Sequence, residues 1–215
     1  MPYVVDYSEK DTLFLKADTL RYCEMDSSDE VRAYKNVWIY RSDMQGKCDS
    51  LVYFVDDSLA RMYHDPVLWS EGSQLTGADV IEIYIKEKKM DRIFIPERAL
   101  IISDEGDEQY NQLSGKRSIA YFEKNKLRRV DMSGEATSLY YSKDEKGLLI
   151  GFNKANGTEM SIFTKNNKLD KIIMTPDSEG IMYPPDNIPE EEKKLRNFVW
   201  REDERPKTKL EFFSK

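Results

Sequence analysis

The chain has 215 residues, of which 34% are charged and 12% aromatic, and its net charge is -7. It has no basic arm and no long run of like charge, which argues against a nucleic-acid partner. No apolar run approaches the roughly 18 residues of a membrane-spanning helix. Residues 1–13 also lack the basic and apolar regions of a signal peptide.

A pattern of two strand-length halves recurs along the chain. The first half is a glycine, then polar residues and an alternating apolar run: Gly46 to Leu51 and Tyr53, Gly77 to Ile81 and Ile83, Gly115 to Ile119 and Tyr121, with residues 17–22 as a weaker copy. The second half places a base two residues after Leu or Met, as in Leu59-Ala-Arg61-Met62. The bases at 32, 61, 92, 129 and 171 are 29, 31, 37 and 42 residues apart, and such a period indicates stacked supersecondary units.

Both halves alternate with period two, which is typical of half-buried strands. The prediction is an all-β fold of stacked strand–turn–strand repeats in one elongated domain over residues 1–183. The Met-Pro start on a repeat already under way suggests that upstream residues, including a signal, have been removed.

Residues 184–215 follow a different pattern. Prolines at 184, 185 and 189 indicate a stiff connector. Residues 190–198 have acids in the first turn and bases in the last, which predicts a short helix. Leu195, Phe198 and Trp200 are expected to pack this segment on the end of the array as a cap, because an unpaired terminal edge promotes aggregation.

The two cysteines are predicted to be free. Aligning Leu20 with Leu51 places Cys23 level with Phe54, roughly 20 Å from Cys48 at about 3.3 Å per strand residue. A disulfide requires Cα atoms within about 7 Å.

The residues offer little catalytic chemistry. The one histidine, His64, lies beside Asp65, and neighbours on a strand point to opposite faces. We expect no catalytic residue, no metal site and no cofactor, since no metal-ligand cluster or nucleotide-binding motif is present.

The repeated bases, Arg32, Arg61, Arg92, Arg129 and Lys171, are expected to form a ladder across the strands. Two interpretations follow. The favoured one is an exposed row balanced by neighbouring acids such as Glu30 and Asp91; the other is a rim that contacts the phosphates of an anionic ligand.

One side of successive strands is apolar. Its candidate members are Leu20, Ala33, Val37, Ile39, Leu51, Tyr53, Met62, Ile81, Ile83, Ile93, Ile119, Tyr121, Val130 and Ile172. A narrow sandwich would bury them against each other, whereas an open trough would present them to a lipid. Periodicity alone does not separate the two.

The repeat Gly46-x-x-Asp49-x-Leu51-x-Tyr53, with Leu59-Ala-Arg61-Met62 and Val67-Leu68-Trp69, resembles the OstA-like (LptA-like) family of lipopolysaccharide transport proteins. Residues 33–39 look like that family's Gly-Asn-Val-x-Ile strand. The resemblance covers approximately residues 11–175. It implies a β-jellyroll, also called a β-taco, whose lumen holds lipid A acyl chains. It also implies a periplasmic location and edge-to-edge contact with other β-taco components or with itself.

The resulting hypothesis is a non-enzymatic protein that binds lipopolysaccharide or another acylated glycolipid. The alternatives are a β-solenoid module or enzyme for polysaccharide, and a structural scaffold of the cell envelope. An outward-facing aromatic row would favour the sugar alternative, and an open apolar lumen the lipid hypothesis.

Overall fold

The structure is a computed structural model, and it describes residues 1–6, 12–165 and 168–215. Its strands are β1 (Tyr3–Asp6), β2 (Leu13–Lys16), β3 (Thr19–Cys23), β4 (Glu30–Arg41), β5 (Met44–Phe54), β6 (Leu59–Tyr63), β7 (Val67–Ser70), β8 (Ser73–Thr76), β9 (Val80–Lys86), β10 (Lys89–Ile95), β11 (Ala99–Asp104), β12 (Tyr110–Gly115), β13 (Arg117–Glu123), β14 (Lys126–Lys143), β15 (Leu149–Lys165), β16 (Lys168–Met174) and β17 (Glu179–Tyr183). The α-helix α1 (Lys209–Ser214) and 3₁₀ turns at Pro185–Asn187, Glu190–Glu192 and Glu202–Glu204 follow.

The strands form two facing sheets, and each described pairing is antiparallel. The first sheet has the order β3, residues 30–34 of β4, 50–54 of β5, β6, β9, β10, β13, 126–133 of β14, 159–165 of β15, and β16. The second has the order β1, β2, 37–41 of β4, 44–48 of β5, β7, β8, β11, β12, 136–143 of β14, 149–157 of β15, and β17. The all-β prediction is confirmed.

The chain crosses between the sheets at corners along one side. Three corners use two successive residues with positive φ: Lys35 (60°) and Asn36 (49°), His64 (60°) and Asp65 (54°), and Gly134 (78°) and Glu135 (56°). This left-handed conformation turns the chain within two residues. The hairpin turns of both sheets lie along the opposite side. We call that side the mouth, and the two rows of turns its lips.

The core lies between the sheets, as the alternation predicts. On the first sheet, one inward row consists of Ala60, Ile83, Ile93, Ala120, Val130, Ile162 and Ile172. Facing it on the second sheet is the row Leu15, Ile39, Gly46, Leu68, Leu75, Ile101, Leu113, Ser138, Ala155 and Gly180. Of the residues in these two rows, most of those that come from β1–β9 belong to one contiguous apolar cluster.

The predicted register of the early strands is confirmed. Leu20 pairs with Ala33, which pairs with Leu51, and Glu30 lies between Cys23 and Phe54. Both cysteines are free, as predicted. Burial raises the pKa of the Cys48 thiol to about 12, so it behaves as a small apolar core residue.

The C-terminal segment differs from the prediction. Residues 190–198 do not form an α-helix; a 3₁₀ turn covers Glu190–Glu192, and the α-helix is instead Lys209–Ser214, capped by the Thr208 hydroxyl, which accepts from the Glu211 amide. Three prolines, at 184, 185 and 189, precede residue 190, and none of the three 3₁₀ turns before residue 208 in the tail has a side-chain cap. Helices this short depend on capping and tertiary packing.

Residues 184–215, which we call the tail, lie across the outer face of the second sheet and run back toward β1. Ile188 and Leu195 pack on a cluster centred on Phe152. At the other end of the sheet, Phe212 is 0% exposed and packs against Phe14. The tail therefore forms a third layer that crosses the strands.

One cross-strand row lies beneath the tail. It consists of Phe14, Tyr40, Gln45, Trp69, Gln74, Ile102, Gln112, Leu139 and Lys154. Trp69 and Ile102 are both 0% exposed, although their strand neighbours Leu68 and Ile101 take the inward positions. Apolar side chains on an outer face are buried only when another layer covers them.

The glutamines of this row hold the tail's backbone. Gln112 donates to the Lys193 carbonyl (2.7 Å) and accepts from the Leu195 amide (2.9 Å). Gln74 likewise donates to the Val199 carbonyl (2.7 Å) and accepts from the Arg201 amide (2.7 Å).

Gln45 uses a different contact, because its side-chain oxygen accepts from the Arg205 guanidinium (2.7 Å). Lys154, the last residue of the row, forms an ion pair with Glu192, and Lys47, outside the row, forms one with Glu204. The tail is thus held at intervals along the row, by two hydrogen bonds each at Gln112 and Gln74 and by one at Gln45.

Candidate functional site

A cleft of about 600 Å³ lies between the sheets, at the mouth of the C-terminal third. Its first-sheet wall is lined by Leu127, Val130, Ile162, Thr164, Leu169 and Ile172. Its second-sheet wall is lined by Ile101, Leu113, Ser138 and Tyr140, with charged turn residues at the rim. A volume of this size lies within the roughly 300–1,000 Å³ of ordinary ligand pockets.

The cleft opens where side chains on the second sheet become small. The inward row of that sheet is Leu68, Leu75, Ile101 and Leu113 in the middle strands, then Ser138, Ala155 and Gly180 in the last three. The opposing first-sheet row stays large, ending in Ile162 and Ile172. The two walls therefore lack the volume to fill the space between them.

Toward the N-terminus the same interior is filled. A second void, which shares Ile101, Leu127 and Val130 with the cleft, holds only about 10 Å³, roughly the room for one water molecule. Beyond it, Ile81, Ile93 and Met62 are each 0% exposed.

The predicted lumen residues therefore divide into three groups. Those buried in the filled part are Ala33, Val37, Ile39, Leu51, Met62, Ile81, Ile83 and Ile93, with Leu20 and Tyr53 packed at its margin. Val130 and Ile172 line the cleft. Ile119 and Tyr121 form the third group, on the outer face.

The inward placement predicted for Ile119 and Tyr121 does not agree with the structure. Ser118 and Ala120 are buried at 1% each, and Ala120 pairs with Ile93 and Val130 in the inward row. The corner before β13 contains only Lys116, whereas three residues, 77–79, separate β8 from β9. A difference in corner geometry decides which face the following residue takes.

The repeated bases lie on the outer face of the first sheet, away from the mouth. Arg61 pairs directly with Glu82, whereas Arg92 pairs with Tyr84, two residues along β9, so the predicted single ladder divides into two rows. The cation–ring distances in the second row are 4.2 Å from Arg92 to Tyr84 and 5.4 Å from Arg129 to Tyr121.

These bases have partners within the sheet. Arg32 pairs with Glu30 (2.5 Å), Arg61 with Glu82 (2.8 Å), Arg92 with Asp91 (3.3 Å) and Arg129 with Asp131 (2.6 Å), while Lys171 lies 4.9 Å from the Phe163 ring centroid. The arrangement matches the interpretation of a row balanced by neighbouring acids.

His64 lies at a corner between the two sheets and does not line the cleft. Its Nδ1 lies 2.7 Å from Asp79 Oδ1, and the pair is well exposed. Over the described ranges there is no group of three His, Cys, Asp or Glu side chains that could hold a metal ion. The same ranges contain no helix long and apolar enough to cross a bilayer.

The cleft residues that sequence reasoning missed carried a usable signal. The repeated motif begins with a leucine, here Leu127 or Leu169, and ends with an aliphatic residue, here Val130 or Ile172. The sequence analysis assigned only the last residue of the motif to the lumen, but the leucine also lines the cleft. The glutamines beneath the tail also recur, in Gln74-Leu75-Thr76-Gly77 and Gln112-Leu113-Ser114-Gly115.

No protein-family model matches the sequence, and no curated protein matches it significantly. Among solved structures, LptH from Pseudomonas aeruginosa superposes with a TM-score of 0.50 at 13% identity, over 66% of this chain and 95% of LptH. That protein is described as the LptA-homologous periplasmic component of the conserved lipopolysaccharide transport device. The fold is LptA-like.

The likeness to an LptA homologue covers nearly all of LptH and two thirds of the present chain. The LptA-like fold agrees with the resemblance noted in the sequence. At this identity the comparison establishes the fold only.

Proposed function

We propose that this LptA-like protein is a non-enzymatic periplasmic carrier that binds an acyl chain of lipopolysaccharide or a related glycolipid in the C-terminal cleft. The proposal rests on the cleft itself, which has a volume of about 600 Å³ and is lined by Val130, Ile162 and Ile172. Half-covering a chain of roughly twelve carbons stabilises a complex by on the order of 5 kcal/mol, at about 0.8 kcal/mol per buried CH₂.

The composition of the cleft supports a binding role. Among the described residues, Tyr140 is the one ionisable side chain on the inner walls, and burial raises its pKa. The carboxylates and Lys143 belong to turns at the rim. Hydrocarbon walls without a nucleophile and base in contact suit holding a chain rather than transforming it.

The periplasmic location and the transport role are supported by the LptA-like fold and by the description of LptH. Contact with neighbouring transport components is supported by the strands at the two ends. At the C-terminal end, Ile181 and Met182 of β17 are 55% and 59% exposed. At the N-terminal end, Tyr3 and Tyr22 are 56% and 61% exposed. Unpaired edges with apolar side chains favour addition of another strand.

The polysaccharide alternative receives less support. An aromatic row does lie on the outer face of the first sheet, at Tyr84, Tyr121 and Phe163. However, Arg92, Arg129 and Lys171 lie over these rings. Ring faces covered by cations are not available to stack on sugars.

Photo-crosslinking at adjacent residues tests the cleft. Ile162 lines the cleft and Phe163 lies on the outer face, so a photoreactive phenylalanine at position 162 should capture lipid and one at 163 should not. Ile172→Asp should weaken binding of an acyl probe at least tenfold, because a carboxylate must be desolvated or protonated there. Equal capture at 162 and 163 would indicate nonspecific surface contact and would contradict the proposal.

A further inference from the structure

The two lips beside the cleft carry opposite charges. The β11–β12 turn of the second sheet is acidic, with Asp104, Glu105, Asp107 and Glu108, whereas the β14–β15 turn carries Asp144 and Glu145 between Lys143 and Lys146. Asp104, Glu105, Asp144 and Glu145 line the cleft and are exposed. The one base among the lining residues, Lys143, donates to the Glu105 carbonyl (2.9 Å). The acidic carboxylates have no ion-pair partner among the described residues.

The turns of the first sheet are basic. Lys86, Lys88 and Lys89 surround the β9–β10 turn, Lys124 and Lys126 the β13–β14 turn, and Lys165 ends β15; all six are exposed. They outnumber the acids of the same turns, Glu87 and Glu123, of which Glu123 pairs with Arg128. Within the described part of the chain, none of these lysines has a carboxylate partner. Lys126 and Lys165 are sequence neighbours of the cleft residues Leu127 and Thr164.

The lips approach each other across the mouth. Glu71, in the β7–β8 turn of the second sheet, accepts from the Leu127 amide of the first sheet (3.4 Å). This contact closes the mouth at the N-terminal limit of the cleft, where the interior narrows to the void of about 10 Å³. A chain in the cleft would therefore place its head group between an acidic lip and a basic lip.

The basic lip reaches from the cleft past the Glu71–Leu127 contact to the β9–β10 turn, but it does not continue along the whole mouth. Farther toward the N-terminus, the β5–β6 turn of the first sheet carries Asp56 and Asp57 instead of lysines. A uniformly charged mouth would favour a head group of one sign. Two facing lips of opposite sign favour a head group that carries both.

From this arrangement we infer that the cleft selects an acyl amphiphile with a zwitterionic head group, whose ammonium faces the acidic lip and whose phosphate faces the basic lip. The inference rests on the proposed acyl-chain function and names the ligand class of the same cleft. The repeated bases at positions 32, 61, 92, 129 and 171 take no part in binding this head group, because they lie on the outer face and already have partners.

Displacement of dansyl-undecanoic acid by dodecyl amphiphiles, each below its micelle concentration, tests the inference. The head groups are phosphocholine, phosphate, trimethylammonium and the neutral maltoside. The full chain should bind the phosphocholine about fivefold more tightly than the maltoside at low salt, since one pair of exposed charges contributes about 1 kcal/mol at 4 Å. The ratio should approach one in about 0.5 M salt.

Charge-neutralising variants locate the effect. Asp144→Asn/Glu145→Gln should shift the preference toward the phosphate amphiphile, and Lys126→Gln/Lys165→Gln toward the trimethylammonium amphiphile, each by about fivefold. Asp56→Asn/Asp57→Asn, on the distant part of the first-sheet lip, is the matched control and should keep the order of the parent protein.

An identical order of head groups in both lip variants and the parent would overturn the inference while leaving acyl binding intact. Tighter binding of either singly charged amphiphile than of the phosphocholine by the parent would do the same. Failure of all four amphiphiles, the maltoside included, to displace the probe would instead reject the proposed acyl-chain site.

Discussion

The outer faces of the two sheets are built differently, although both derive from the same repeat. On the first sheet, outward positions hold bases and aromatic rings that pair with each other and with acids on the same face, as Arg129 does with Asp131 and Tyr121. On the second sheet, outward positions alternate between glutamine and large apolar residues such as Trp69 and Ile102.

This difference determines which face needs a further layer. Arginines and rings can satisfy one another in water. Trp69 and Ile102, by contrast, would lose the stabilisation of burial if exposed, and Gln74 would exchange its backbone partners for water. The tail supplies the missing layer on the second sheet. One face is therefore complete within the sheet, and the other is completed by residues from the end of the chain.

The largest expected effect comes from removing the tail. A chain ending at Tyr183 would uncover Trp69, Ile102 and Phe152, which are each 0% exposed. At about 1.5–3 kcal/mol per large apolar side chain, the loss in unfolding free energy should exceed about 5 kcal/mol. Chemical denaturation measures the loss, and sedimentation should detect association of the uncovered face.

Addition of a peptide of residues 184–215 to the truncated chain provides the control, since it should restore the monomer and part of the stability. Unchanged sedimentation and unfolding of the truncated chain would contradict a covering role for the tail.

A smaller effect is expected from a single glutamine. Gln74→Ala leaves the Val199 carbonyl and the Arg201 amide without their partners, and should lower the unfolding free energy by about 1–3 kcal/mol. Hydrogen exchange should show faster exchange of the Arg201 amide in this variant, because its acceptor is lost.

The matched substitution on the other outer face is Arg129→Gln. Its ion pair with Asp131 is half exposed, so the expected cost is about 0–1 kcal/mol. If Arg129→Gln costs as much as Gln74→Ala, the distinction between the two faces fails.

A further expected effect, confined to acid, is a pH dependence of the tail contact. Hydrogen bonding to Arg201, with help from Lys47, lowers the pKa of Glu204 to about 2. Because this is below the ordinary value of about 4.3, the unfolded chain takes up a proton first as pH falls. The stabilisation from Glu204 is therefore complete above about pH 4.3 and is lost progressively toward pH 2.

Glu204→Gln should consequently reduce the change in stability between about pH 4.5 and 2. Thermal unfolding monitored over that range, compared with the parent, measures the difference. Identical pH profiles would show that Glu204 has the same proton affinity in the folded and unfolded chains.

Much of the fold could be predicted from the sequence because its signals are local. Alternation over a few residues indicated the strands, and the alignment of Leu20 with Leu51 correctly placed Cys23 level with Phe54, since Glu30 pairs with both. Glu30 and Asp91 were also correctly paired with their arginines. The face of the sheet on which Ile119 lies could not be predicted reliably, because it depends on the conformation of the corner at Lys116 and not on the alternation of apolar residues.

The sequence by itself therefore determined the strand content, the inward residues of most strands and the absence of a disulfide, because neighbours along the chain set backbone alternation. Only the tertiary structure decided the route of the tail, whose Arg205 contacts Gln45 across 160 positions. It also decided that the interior is filled near Ile81 and open near Ile172, which depends on the summed side-chain volume of two facing sheets. Contacts so distant in sequence leave no period for a pattern to detect.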